Sequence, residues 1–257
     1  MSYIITDDKH YKDIAKSIRS KMQTDREYYP KDMAIAIDNI PSSADGTDNP
    51  VIGIYYTNPD DNGNPTKVKI SGWVNTTGGF PNIFTLSNVR AFIEEAEFLN
   101  CNFLSLGARA FQSCASLSSI NLPNSLKTLE SEAFGGCKSL SSINLPNSLE
   151  TIQHNCFVFC ASLSSINLPN SLKTLGGYPF RYCSSLKYVT LGDNFNCNNL
   201  NLSSSDLYTR EIILQWLNAI ADRTGQKAYK LTIGATNLAK LTEEDIAIAT
   251  NKNWTLA

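Results

Sequence analysis

The chain has 257 residues, a formal net charge of −2 and 42% hydrophobic residues, enough for one or two domains with a sizeable core. Its 22 basic and 24 acidic residues are scattered, which excludes the clustered positive footprint of a nucleic-acid or anionic-membrane binder. No apolar run reaches the roughly 18 residues of a membrane span, and the opening stretch lacks the apolar core of a secretory signal, so the expectation is no membrane insertion and no leader.

Residues 7–22 place Tyr11, Ile14, Ala15, Ile18 and Met22 at the spacing of an amphipathic helix, with Thr6 or Asp7 as its cap. Pro30 suits a first helical position, and Met33, Ala34 and Ile37 give a second short helix, so residues 1–40 read as a two-helix segment. Residues 41–50, PSSADGTDNP, are a linker by composition. Residues 51–56 and 67–74 read as two strands of a hairpin that forms an N-terminal cap over residues 51–80. Within the link, Asn58, Asp60, Asn62 and Gly63 imitate the start of a calcium loop. Position twelve is Lys69 where a bidentate glutamate belongs, so the stretch reads as an Asx-rich turn.

A repeat follows. Leu122, Leu145 and Leu168 each open a Leu-Pro-Asn-Ser-Leu motif at 23-residue intervals. Phe111, Phe134, Phe157 and Phe180 keep that interval, as do Cys114, Cys137, Cys160 and Cys183. A fixed period of this size signals a solenoid. One unit, with Leu117, Ile120, Leu122, Leu126, Leu129, Phe134 and Cys137 as apolar anchors, cannot offset the entropy of ordering itself, so the units must stack. In residues 117–122, Ile120 and Leu122 are expected to point inward and Ser119 and Asn121 outward. Ile93, Ala96 and Phe98 align with Leu117, Ile120 and Leu122 at an offset of 24, which makes residues 93–98 a first strand with Glu94, Glu95 and Glu97 outward. A helix over residues 89–97 competes, and the repeat register favours the strand. The periodic cysteines read as buried, reduced thiols. Cys156, Cys160 and His154 are the best metal candidate, but both cysteines fall at core positions, so no metal and no cofactor is expected.

After Leu191 the period breaks. Residues 194–205 are an Asn- and Ser-rich loop. Residues 206–224 read as a helix burying Leu207, Ile212, Ile213, Trp216, Leu217 and Ile220, with Gly225 as its stop. Residues 230–233 and 253–256 read as strands around a helix at 242–251. This end, residues 198–257, covers the apolar face that the last repeat would expose.

The unit C-x-x-L-x-x-I-x-L-P-x-S-L-x-x-(L/I)-x-x-x-A-F-x-x-C, over about residues 99–191, resembles the BspA-type leucine-rich repeat of bacterial surface proteins. The resemblance implies a curved solenoid, and together with the ends read above the expected fold is an α/β repeat: a strand-rich leucine-rich-repeat solenoid over residues 81–197, with N-terminal helices, the hairpin and the α/β C-terminal cap. It also implies adhesion or recognition without catalysis. Ala110-Phe111 and Ala133-Phe134 fit the pattern, whereas Cys156-Phe157 and Pro179-Phe180 depart from it. The Gly-Gly-Tyr-Pro stretch after Leu175 predicts a different turn in the last repeat. The stretch HYKDIAKSIRSK…YYPKDMAIAI resembles N-terminal modules of prophage tail-associated proteins, and residues 231–257 resemble C-terminal segments of gut-bacterial and prophage proteins. These likenesses imply a virion or cell-surface setting; without them the cytoplasm is the default.

His10 and His154 suggest no nucleophile–base pair, and Glu94, Glu95 and Glu97 read as a solvated acidic face, leaving an acidic enzyme site as the weakest alternative. The candidate site is the outward strand row, taken to be the concave one: Ser119 and Asn121, Ser142 and Asn144, Ser165 and Asn167, then Tyr188 and Thr190, flanked by Ser118, Ser141, Ser164 and Lys187. Its amides and hydroxyls suit a protein or glycan ligand. The competing expectation is a structural spacer or virion component, because stacked Asn and Ser side chains also bond to one another.

Overall fold

The computed structural model describes residues 34–35, 53–59, 65–71, 91–99 and 101–257. Strand β1 (Ala34–Ile35) pairs antiparallel with β2 (Gly53–Pro59), which pairs antiparallel with β3 (Pro65–Ser71). The expected hairpin is present. The short helix expected around Met33, Ala34 and Ile37 is corrected at Ala34–Ile35 to an edge strand. The Ala-Ile alternation there has the period of a strand, and a helix of a few residues has no stability of its own. The expected helix at 7–22, the linker at 41–50 and the middle of the Asx-rich turn lie outside the described residues.

From β3 onward the strands are parallel. β3 pairs with β4 (Glu95–Leu99), Val68 opposite Ala96 and Ile70 opposite Phe98. β4 pairs with β6 (Ser119–Ile120), Ala96 opposite Ile120, so residues 93–98 take the strand alternative at the 24-residue offset. The row continues through β8 (Ser142–Ile143), β10 (Ser165–Leu168) and β12 (Tyr188–Leu191), with Ile143, Ile166 and Val189 in register. Each rung also supplies a second row: β5 (Ser105–Leu106), β7 (Thr128–Leu129), β9 (Thr151–Ile152) and β11 (Thr174–Leu175), all parallel.

The core runs between the two rows and a third, turn edge. Phe111, Phe134, Phe157 and Phe180 are wholly buried and stack face to face, centroids 5.6, 5.3 and 5.7 Å apart. Leu117, Leu140, Leu163 and Leu186 are wholly buried beside them. Ile120, Ile143 and Ile166 point inward as expected, whereas Leu122 and Leu145 are only half-buried. Within each motif the leucine N–H closes a tight turn onto the proline carbonyl, as in Leu126 to Pro123 at 3.1 Å. The serine hydroxyl donates back to the rung before: Ser125 to the Phe103 carbonyl (3.0 Å), Ser148 to Leu126 (2.7 Å) and Ser171 to Leu149 (2.6 Å).

On the turn edge the backbone turns left-handed twice per rung: Arg109 and Ser113, Glu132 and Gly136, Asn155 and Phe159, Tyr178 and Tyr182. The last repeat therefore keeps the shape of the others, against the expectation drawn from Gly-Gly-Tyr-Pro. Gly176 makes this possible, since a Cβ there would collide with the His154 backbone. For a residue with a side chain the left-handed region costs roughly 1–2 kcal/mol, and the turns offset it by stacking. Asn155, Phe157 and Phe159 donate their N–H groups to the carbonyls of Gly177, Pro179 and Arg181 in the next turn.

At the far end, β13 (Leu200–Asn201), β14 (Tyr229–Thr232) and β15 (Trp254–Leu256) form a small parallel sheet. The helix expected at 206–224 is shorter, α1 (Arg210–Ala219), capped by the Thr209 side chain, and Leu207 is exposed. It ends at Ile220, and Gly225 lies in a separate left-handed turn. The Lys252 ammonium ends it by donating to the carbonyls of Leu217, Asn218 and Ile220. A one-turn helix α2 (Ala235–Leu238) precedes α3 (Glu243–Asn251), which begins with a Thr242–Asp245 capping box. Trp216 closes the array: its Nε1 donates to the Val189 carbonyl at 2.6 Å. Ser205 donates likewise to Leu186 at 2.6 Å.

Candidate functional site

The outward strand row forms as read from the alternation of side chains. Ser119, Asn121, Ser142, Asn144, Asn167, Tyr188 and Thr190 are exposed, and Ser165 is half-buried. Ser142, Ser165 and Tyr188 stand opposite one another across three rungs, and Asn167 stands opposite Thr190. The side chains differ in what they already hold. The Asn121 Oδ1 accepts from the Phe98 N–H at 2.8 Å, so this amide secures the preceding rung. Ser118 and Ser164 donate to the carbonyls of Glu94 and Ser141. Asn144 and Asn167 make no side-chain hydrogen bond among the described residues, so the row lacks the amide-to-amide ladder that would occupy them internally.

One end of the row is charged. Lys67 bridges Glu95 (2.7 Å) and Glu97 (2.9 Å), and Lys69 lies 3.7 Å from Glu97. The Lys67 hydrogen bond, with Lys69 nearby, holds the Glu97 carboxyl below its ordinary range, and hydrogen bonds to Glu95 and Glu97 push the Lys67 ammonium up. A general acid needs the opposite shift, a carboxyl held protonated. At Glu95 and Glu97 the expected acidic face is thus a lysine–glutamate lattice along β3 and β4, whereas Glu94, just before β4, is exposed. The other end carries Tyr188 and Lys187, both exposed. The metal candidate does not assemble. Cys156 and Cys160 are buried, and His154 is exposed with its Nδ1 3.0 Å from the Ser131 hydroxyl. Among the described residues no group of three potential ligands comes together. Nor, among them, is any helix long and apolar enough to cross a membrane.

Two surfaces escaped the sequence. The second strand row carries an alternating charge line, Lys127–Glu150 at 3.5 Å and Glu150–Lys173 at 2.6 Å, which the 23-residue interval of these charges could have disclosed. On the turn edge, Phe159, Tyr178 and Tyr182 are each about half exposed. They occupy the left-handed positions that earlier rungs fill with Ser113, Gly136, Arg109 and Glu132, and that departure from the repeat was the available signal.

A family model described as the BspA type leucine rich repeat region matches residues 104–213 in six copies. Among solved structures, a Treponema pallidum leucine-rich repeat protein is 20% identical with a TM-score of 0.45, the alignment covering 81% of this chain and 95% of that one. A leucine-rich cell surface protein from Faecalibacterium prausnitzii is 18% identical with a TM-score of 0.41, covering 74% of this chain and 42% of that one. A leucine-rich repeat protein from Bacteroides ovatus is 23% identical with a TM-score of 0.35, covering 59% of this chain and 45% of that one. No curated protein matches the chain. Its parallel strand rows, few helices and six matched repeats are those of a leucine-rich-repeat fold.

Proposed function

We propose that this repeat array is a non-catalytic recognition module that docks its outward strand row on a protein or glycan surface. The observation that carries the reading is the pair Asn144 and Asn167. Both amides are exposed and unengaged; Asn167 lies within β10 and Asn144 directly follows β8, beside the buried Ile166 and Ile143. Because the fold fixes the backbone that carries them, these amides order only their own side chains on binding. The hairpin at one end and residues 198–257 at the other serve as the caps that repeat arrays require. The likeness of the terminal segments to tail-associated and gut-bacterial proteins supports a virion or cell-surface setting. A second reading, a spacer without a ligand, draws support from Asn121, whose amide is already engaged by the Phe98 backbone.

The test pairs a protein and glycan array with charge placed on the row. Asn144→Lys alone should cost no more than about 1 kcal/mol of stability, because the residue is exposed and leaves Ile143 in place. Asn144→Lys with Asn167→Lys should abolish saturable binding, and should cost more stability than the two singles together, because like charges meet on neighbouring rungs. Reversing Lys127 or Glu150 on the second row should spare it. A folded double variant with full affinity refutes the site, and a wild-type protein that binds nothing on the array favours the spacer.

A further inference from the structure

The last turn of the array is open where every earlier turn is closed. Arg109, Phe111 and Ser113 donate their N–H groups to Ser131, Ala133 and Gly135, and the next two turns repeat the pattern. In the last turn the equivalent donors, Tyr178, Phe180 and Tyr182, have no acceptor among the described residues. Tyr178 and Tyr182, at the exposed ends of that row, are 57% and 50% accessible. Between them stands Arg181. Its guanidinium lies 4.8 Å from the Tyr182 ring centroid and 5.9 Å from that of Tyr178, and its Nη2 donates to the Tyr182 hydroxyl at 2.9 Å. It forms no ion pair with any described carboxylate. Phe159, one turn back, stacks on Tyr182 at 4.6 Å and 14° and props the ring from behind.

From this geometry we infer a second binding site, at the last turn, for a carboxylate-bearing sugar. The guanidinium receives the carboxylate, and the exposed Tyr178 ring takes the C–H face of the pyranose, while Tyr182, stacked between Phe159 and Arg181, holds the guanidinium in place. Charge selects an anion, because the only charge between the two tyrosines is the unpaired Arg181. Size selects a sugar over a protein. Three side chains about half exposed, at about 200 Å² each, offer about 300 Å², against about 800 Å² covered by a stable protein partner. Three N–H groups without an acceptor, one of them on the wholly buried Phe180, are also too few for an added peptide strand, which needs a continuous backbone row. The left-handed tyrosines give the reading its force. Gly136 shows that this turn forms without a side chain at the second position, so the turn itself does not require the exposed Tyr182 ring.

The experiment titrates the full chain with oligogalacturonate, a neutral galacto-oligosaccharide of the same length, and oligoglutamate, read by calorimetry. Saturable binding of the uronate, with the neutral sugar weaker by about tenfold or more and no saturation by oligoglutamate, is the expected result. Arg181→Gln should weaken uronate binding by about tenfold or more. Tyr182→Gly should do the same with only a small change in Tm, because relief of the left-handed backbone offsets the lost stack on Phe159. Asn144→Lys with Asn167→Lys should leave it intact, which separates this site from the strand row. Equal binding of oligoglutamate, which would make the turn a peptide site, overturns the proposal. So does uronate binding that is absent, or that Arg181→Gln leaves unchanged; this last arm holds even if Tyr182→Gly fails to fold.

Discussion

The periodic cysteines show how much one small side chain contributes in a stacked array. Cys137, Cys160 and Cys183 donate their thiols to the carbonyls of Phe111, Phe134 and Phe157 at 3.2, 3.1 and 3.1 Å, so each ties its turn to the one before. All seven cysteines are free thiols, and the four expected to be buried are buried. Burial, aided by the neighbouring Cys114 and Cys156, pushes the Cys137 thiol far up from its ordinary 9.0. Burial is also the main cause at Cys156, and it raises Cys197 to about 12. The folded protein thus keeps protons that the unfolded chain releases above about pH 9, so this stability is complete below that pH and is lost as pH rises further. With reductant present, Tm should be flat from neutrality to about pH 8.5 and then fall steeply, since a tenfold difference in proton affinity between the folded and unfolded states is worth about 1.4 kcal/mol per thiol. Cys156→Ala should lower the plateau by roughly 1 kcal/mol and flatten the alkaline fall. A Tm that stays level to about pH 11 would contradict this account.

Within one rung, the legible features are those that depend on the interval alone. Phe134 repeats, so it stacks; Ile143 alternates, so it points inward. The serine of Leu-Pro-Asn-Ser-Leu repeats as faithfully as the phenylalanine, yet its partner is set by how adjacent coils are offset, which no single-chain pattern encodes. Ser148→Ala leaves the Leu126 carbonyl without its hydroxyl donor and should cost about 1–2 kcal/mol by chemical denaturation, with an unchanged m-value. A cost below a few tenths of a kcal/mol would show that water replaces the bond. The helix expected from residue 206 starts late for a related reason. Leu207 matches the apolar face, but the Ser205 hydroxyl accepts the Leu207 N–H and holds that residue in a turn. The strand row of the candidate site was legible because alternation decides which side chains face out. That Asn121 is engaged while Asn144 and Asn167 are not was illegible, because it turns on the longer first strand supplied by Phe98.

For the whole molecule, stability depends on how the last rung is closed. Trp216 and Ser205 reach the carbonyls of Val189 and Leu186, and Leu191 is buried along with them. Trp216→Phe keeps most of the apolar contact but leaves the Val189 carbonyl unpaired, and should cost about 2–3 kcal/mol. Deleting residues 206–257 removes helix α1 altogether, leaving β12 as an edge beside an open core, and the product should aggregate. A monomeric truncation with a cooperative melt would disprove the closing role of that segment. Light scattering and calorimetry on the two proteins separate a local hydrogen-bond loss from loss of the whole seal.

The charge line on the second row bears on a hazard peculiar to near-identical coils. Three successive Leu-Pro-Asn-Ser-Leu units offer the same leucines and serines to their neighbours, so a nascent chain that skips one unit meets almost the same contacts as one that does not. Lys127, Glu150 and Lys173 break that degeneracy. A skip of one unit brings Lys127 against Lys173, two ammonium groups where a pair belongs, and like charges on facing rungs repel. A surface ion pair of this kind adds little to the finished fold; its second effect is to make a one-unit skip less stable than the correct pairing. The sign sequence plus, minus, plus acts as a counting mark, telling otherwise interchangeable coils which neighbour is theirs.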